Sequence, residues 1–255
     1  MSKKVTLLIP HYKTKELTTL CLRLLRKQTD LSQVEVIVLD NGSKDESSEY
    51  LKTVEWIKLI TLDPQGVEPA LSHSMALDEG LKHVSTPYVL SIHTDTFFMT
   101  KDWLPFLLKF IEGKPNVAGV GSWKLEKKPW YKNSLKAIER RVQLAWYKLI
   151  GKKRHAIEGV SENFKYLRSH CALYRTDYLK NNHLSFVGPD KVAGKSIHRS
   201  LIDKGYEMIF LPSDVLSKHV LHINHATMVL NPELGARKRT ITKGLKRIQK
   251  NSRLT

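Results

Sequence analysis

The residues of this 255-residue chain that could do chemistry sit at the ends of apolar runs. Tyr88–Phe98, YVLSIHTDTFF, is interrupted by His93-Thr94-Asp95, and apolar character resumes at once in Phe97 and Phe98. Val34–Leu39 stops at Asp40-Asn41-Gly42-Ser43, and the run that begins at Val5 ends in Pro10-His11-Tyr12. A carboxylate at a strand tip can accept from the donors of a base or ribose, or hold a divalent cation against a diphosphate. Oxygen ligands suit Mg2+ or Mn2+, and an added imidazole tilts the choice toward Mn2+. His219, His222 and His225 follow later at i, i+3, i+6 spacing. No cysteine pair or HExxH accompanies them, which argues against zinc. Cys21 and Cys171 form no disulfide framework and read as inert core thiols of a reducing compartment.

These tips need a scaffold, and the periodicity supplies one. Strands are expected at Val5–Ile9, Val34–Leu39, Trp56–Ile60, Tyr88–Ile92 and Val117–Val120. Helices are expected at Lys15–Gln28, with Thr14 as N-cap, at Glu46–Val54 and Pro69–Val84, and up to Phe110 with Asp102 as its cap. Strands alternating with helices predict an α/β fold with a mostly parallel sheet, helices on both faces and ligands at the carboxyl edge. Further on, strand-like Cys171–Arg175, a helix over Ser196–Lys204 and a strand over Tyr206–Phe210 complete the sheet. Residues 1–225 read as one domain, with a nucleotide-type α/β half (1–120) and a second half (121–225) that completes the sheet; 226–255 form a basic tail.

Charge is the anomaly. Forty-two Lys and Arg against twenty-five Asp and Glu give +17, which points to a polyanionic partner. Trp123–Arg154 holds eleven Lys/Arg and two acids, interleaved with Trp130, Tyr131, Trp146 and Tyr147. The tail from Arg237 adds eight basic residues, with Ile241, Leu245 and Ile248 on one helix face. Basic residues beside bulky aromatics suit an anionic membrane surface. No recognisable nucleic-acid reading module is visible, so nucleic acid is the weaker partner. There is no apolar run of 18 residues and no signal-peptide pattern, so the expectation is a cytoplasmic protein, peripheral on the inner face of the cytoplasmic membrane.

IPHYKTKE, VIVLDNGSKDES and the strand ending in HTD resemble the nucleotide-binding half of a family 2, GT-A-fold glycosyltransferase. Lys204-Gly205-Tyr206 through Pro212, with His219 beyond, is similar to that family's C-terminal pattern. The resemblance implies a Rossmann-like GT-A fold carrying a basic insertion over 123–155 and a basic C-terminal helix. It implies transfer, inverting in the family manner and metal-dependent, from a UDP-, dTDP- or GDP-sugar to a hydroxyl of a cell-envelope polysaccharide or glycolipid. Pro10, Tyr12, Asp40, Asn41, Asp78, His93 and Thr94 would hold the nucleotide sugar. Asp95 and His219 would bind Mn2+ or Mg2+, with His222 the alternative to His219.

Two departures stand out. His93 replaces the first Asp of the family's Asp-x-Asp triplet. Ala193-Gly194 replace the Glu-Asp pair that usually supplies the catalytic base, which leaves Asp190 as the nearest candidate and Glu158 and Glu162 in reserve. A nucleic-acid-binding protein and a catalytically silent relative are the alternatives. A nucleotidyltransferase would need a glycine-rich loop where His11-Tyr12-Lys13 stand.

Overall fold

A computed structural model of the chain describes residues 2–125, 164–223 and 226–231, with single helical positions at 139, 141, 142 and 146. The basic insertion and the C-terminal tail fall largely or wholly outside the described residues, as do Glu158 and Glu162.

The first half alternates as the periodicity predicts: β1 (Val5–His11), α1 (Lys15–Gln28), β2 (Val34–Asn41), α2 (Glu46–Lys52), β3 (Lys58–Leu62), α3 (Pro69–Lys82) and β4 (Tyr88–Ile92). Then come β5 (Thr96–Phe98), α4 (Trp103–Leu108), β6 (Val117–Gly121), β7 (Cys171–Arg175), α5 (Thr176–Asn181), α6 (Lys195–Asp203), β8 (Glu207–Phe210), α7 (Ser213–Leu216), β9 (Val220–His222) and α8 (Ala226–Leu230). Seven strands form one sheet in the order β3-β2-β1-β4-β7-β6-β8, and β5 pairs with β9 in a separate ribbon. The sheet is mostly parallel; β7 alone runs antiparallel to its neighbours β4 and β6.

Helices cover both faces because the strands alternate apolar residues to both sides. In β1, Leu7 and Ile9 join Leu17, Cys21 and Leu22 of α1 in one core. Leu8, between them, joins Ala76 and Leu77 of α3 in the other. Every residue of β1 is buried, as befits an interior strand. Helix α3 lies close to the sheet at Gly80, where an added Cβ would sit 2.9 Å from Leu8 Cδ2. Among the described residues no helix is long and apolar enough to cross a membrane.

The caps differ from expectation. Thr14 stands at the N-cap of α1 without a side-chain cap bond. Its hydroxyl instead meets Thr18 Oγ1 at 3.3 Å and Thr94 Oγ1 at 3.4 Å, which ties α1 to the end of β4. Asp102 does not cap α4 through its side chain either.

The short strands β5 and β9 escape a periodicity reading, since three residues carry too little pattern. Burial holds the ribbon in place. Phe97, Phe98 and Trp103 are fully buried; Phe98 stacks on Trp103 at 3.8 Å, and Trp103 Nε1 donates to Thr29 Oγ1 at 2.9 Å. Cys21 reaches the same place from α1, its thiol donating to the Thr96 carbonyl at 3.2 Å.

Gly121 closes β6 where it crosses β7. A Cβ there would lie 2.5 Å from the Cys171 carbonyl oxygen, a backbone atom that cannot swing aside. Gly121→Ala should therefore destabilise the protein by about 1–3 kcal/mol, the usual cost of overpacking. Urea denaturation checks this, with an unchanged midpoint as the contrary result.

Candidate active site

The carboxyl ends of β1, β2 and β4 meet along one edge of the sheet, as a parallel arrangement requires. A cleft of about 940 Å³ opens there. Pro10, Tyr12, Asn41, His93, Thr94 and Asp95 all line it. Because β7 runs the other way, its start rather than its end reaches this edge. It brings Arg168, Ser169 and His170, which the sequence reading did not single out. His73 of α3 and His222 of β9 complete that wall.

Asp95 is 3 % exposed. The β9 segment clamps it: Ile223 N donates to its backbone carbonyl at 2.9 Å, and Ala226 N donates to Oδ2 at 3.1 Å. Oδ1 is left without a hydrogen-bond partner, and so is His222 Nε2. These two atoms are only 3.2 Å apart, yet they are not angled as a hydrogen bond. His93 Nδ1 lies 3.8 Å from the same Oδ1. The three ligand atoms all fall within 4.8 Å of one another.

Two unpartnered atoms, Asp95 Oδ1 and His222 Nε2, with His93 Nδ1 beside them, fit a divalent cation. Ligands around Mn2+ or Mg2+ with bonds of about 2.1 Å are at most about 4.2 Å apart. Asp95 and His222 are already within that span, so the His93 ring has the last few tenths of an ångström to travel.

Burial pushes His73 down to about 4. Burial also holds His93 and His170 well below the usual histidine value, helped by neighbouring imidazoles and by Arg168. Burial works to raise Asp95, but His222 and the hydrogen bonds outweigh it and keep the carboxyl below its ordinary value. Arg168 is stacked over the Trp123 ring at 4.8 Å, and among the described residues its guanidinium forms no ion pair with a carboxylate. It places a positive charge beside the cleft, suited to a phosphate.

Four expected contacts are placed elsewhere. Asp40 is 1 % exposed and does not line the cleft. Its Oδ1 accepts from Ser43 N at 3.1 Å and its Oδ2 from Ser48 Oγ at 2.5 Å, so the carboxylate shapes the turn at Gly42, whose φ is +78°. Adjacent strand residues face opposite ways, and Asn41 takes the cleft side. Its Nδ2 donates to Ser72 Oγ at 2.5 Å, while its Oδ1 is buried and unpartnered.

Asp78, expected near the nucleotide, instead holds the loop before α6. It accepts from Ser185 Oγ, from Phe186 N at 2.6 Å and from Val187 N at 3.1 Å. His219, expected as a metal contact, stacks on Phe106 at 4.0 Å. Its Nδ1 meets Thr100 Oγ1 at 3.0 Å and Asp102 Oδ1 at 3.1 Å. That ring is occupied at the far end of the β5–β9 ribbon, and His222 is the residue beside Asp95. Asp190, expected as the base, pairs with Lys195 Nζ at 2.7 Å and is half exposed; its neighbours Lys191, Val192 and Ala193 line the cleft and it does not. At the usual base position, Gly194 sits at φ +80° as the N-cap of α6.

The chain matches the family described as glycosyl transferase family 2 over residues 6–182. No functionally curated protein matches the sequence. Among solved structures, it is similar to the mannosyltransferase PcManGT from Pyrobaculum calidifontis in complex with GDP-Man and Mn2+ (19 % identity, TM-score 0.55, 83 % of this chain and 55 % of that one). It is similar to S. aureus TarS 1-349 in complex with UDP-GlcNAc (19 %, TM-score 0.52, 82 % and 56 %). A third is glucosyl-3-phosphoglycerate synthase from Mycobacterium tuberculosis with Mn2+, UDP-Glc and glycerol 3-phosphate (16 %, TM-score 0.52, 95 % and 79 %). At these identities the likeness is one of fold, and the chain spans little more than half of the first two.

Two measurements follow from the site's geometry. Asp78→Ala strands two backbone donors and should cost about 1–3 kcal/mol of stability while nucleotide affinity stays put; denaturation and ligand titration separate the two effects. The second concerns acid. The histidines with lowered values bind fewer protons folded than unfolded, so stability should be complete above pH about 6.5 and fall as the pH drops toward about 4. Melting temperatures of the metal-free protein across that window check the sign.

Proposed function

Because the chain belongs to glycosyl transferase family 2, we propose that it moves a sugar from a UDP-, dTDP- or GDP-linked donor to a hydroxyl of a glycan or glycolipid. The observation that carries this reading is the pair of unpartnered ligand atoms, Asp95 Oδ1 and His222 Nε2, at the edge where three strand ends converge. The complexes of GDP-Man, UDP-GlcNAc and UDP-Glc with proteins of this fold support a nucleotide-sugar donor, and the Mn2+ in two of them supports the cation.

In this reading the nucleoside end lies along Pro10, Tyr12 and Asn41. The unpartnered Asn41 Oδ1 accepts an N–H from the base, since a buried acceptor left unmet is costly. His93, Asp95 and His222 hold the cation, which when bound neutralises charge on the departing diphosphate. Arg168 adds a fixed positive charge on the same side. The chain's own work is orientation. The cleft walls seat the donor, and the clamp from Ile223 and Ala226 keeps Asp95 from turning away. We do not assign the acceptor's proton to Asp190, which Lys195 holds outside the cleft lining. Inversion follows the family pattern. The +17 charge supports attachment to an anionic membrane surface, where lipid-linked acceptors are found.

A panel of nucleotide sugars, with and without Mn2+, should include one that raises the melting temperature only when both are present. That donor should release its nucleoside diphosphate when an acceptor is supplied. Asp95→Ala should lower turnover by about 100-fold or more, because a cation on the leaving group is worth several kcal/mol. Full turnover in that variant would sink the metal assignment. Stabilisation by donor and Mn2+ without release to any acceptor would leave a binding relative instead of an enzyme.

A further inference from the structure

His93 is the ligand that stands where the family's triplet has an acid, and an imidazole raises a question that a carboxylate does not. It has two nitrogens, and only one can face the cation. Nδ1 is on the Asp95 side, 3.8 Å from Oδ1. Nε2 points away, to Ser169 Oγ at 3.0 Å. The same hydroxyl lies 3.2 Å from His73 Nε2, and the His73 and His93 rings meet edge to face at 4.9 Å. Ser169 therefore bridges two imidazoles with a single proton of its own.

We infer that Ser169, backed by His73, is the positioning residue that sets the His93 tautomer for metal binding; this rests on the metal reading of the site. A neutral imidazole carries one N–H. For Nδ1 to offer a lone pair, the proton must be on Nε2, and Ser169 Oγ must accept it. Among the described residues the Ser169 hydroxyl proton then has one nearby place to go, the lone pair of His73 Nε2, so His73 carries its own proton on Nδ1. The proton order is His93 Nε2–H to Ser169 Oγ–H to His73 Nε2. The reverse order puts a proton on His93 Nδ1 and blocks the ligand atom. The heavy atoms accommodate both orders, and a cation at Nδ1 selects the first. His73 matters because it gives the serine proton a destination other than His93.

The bridge is held rigidly. Arg168 N donates to the Ser122 carbonyl at 3.0 Å, and Cys171 N donates to the Arg168 carbonyl at 3.1 Å. Ser169 is thus fixed in a tight turn at the entry to β7. A ligand's outer hydrogen bond both fixes its tautomer and orients its ring, and its loss typically weakens metal binding by about 10–100-fold.

The test is Mn2+ titration of the whole protein, read by the EPR signal of the free ion. Ser169→Ala should bind Mn2+ about 10–100-fold more weakly than wild type, with the melting temperature of the metal-free protein unchanged. Ser169→Thr keeps the hydroxyl and should restore the affinity. His73→Leu removes neither a ligand nor a contact with Nε2 of His93, and should also weaken Mn2+, because the serine proton then turns back to His93. In the Zn2+-loaded protein, 15N NMR should find His93 protonated on Nε2. Equal Mn2+ affinity in wild type and Ser169→Ala overturns the inference. If Ser169→Ala fails to fold, unchanged affinity in His73→Leu overturns it in the same way. Absence of Mn2+ binding to wild type overturns the metal reading beneath it, a result distinct from either.

Discussion

A carboxylate that is buried and only half satisfied governs this structure. Asp95 has one oxygen bonded to the chain and one left facing two imidazoles. Desolvating a carboxylate is expensive unless a positive charge or donors answer it. The chain answers one oxygen with the amide of Ala226 and leaves the other without a hydrogen-bond partner, which is what the proposed cation would meet. Much of the surrounding architecture follows. The β5–β9 ribbon exists where Asp95 must be clamped, and the buried aromatic residues Phe97, Phe98 and Trp103 hold that ribbon down. Burial holds His93 and His170, on the same wall, well below the usual histidine value.

The sheet topology explains how so many groups reach one place. Parallel strands deliver residues to the cleft as they end, and the reversed strand β7 delivers residues as it begins. The wall built by the parallel strands carries Tyr12 and Asn41. The wall built by the entry to β7 carries Arg168, Ser169 and His170. Strand direction thus decides which side chains each wall presents, with the Arg168 charge on the β7 side.

The sequence makes the scaffold readable wherever an element is long enough to show a period. Lys15–Gln28, Tyr88–Ile92 and Cys171–Arg175 have the expected bounds, and the carboxyl-edge tips are in the expected place. It fails where one residue of register decides the outcome. Asp40 and Asn41 are neighbours in β2, and the strand's alternation sends the acid into the turn and the amide into the cleft. His219 and His222 are three apart, and only the pairing of β9 with β5 puts the second beside Asp95. That pairing joins segments more than a hundred residues apart, which no local pattern announces. The same holds for Ser169 and His73, each unremarkable in its own neighbourhood. Asp190 and Asp78 show a further limit: composition marks a carboxylate but cannot say which lysine or loop amide has already claimed it.

Beneath the site lies Cys21, whose thiol donates to the Thr96 carbonyl and whose acidity is suppressed to about 12 by burial, with Asp95 adding to the effect. Only a thiolate reacts readily with alkylating or disulfide reagents. In the closed molecule this sulfur is chemically silent, and it wakes only when α1 parts from the ribbon that clamps Asp95. The rate at which a thiol reagent labels Cys21 is thus a built-in clock for how often the foundation of the cleft comes open.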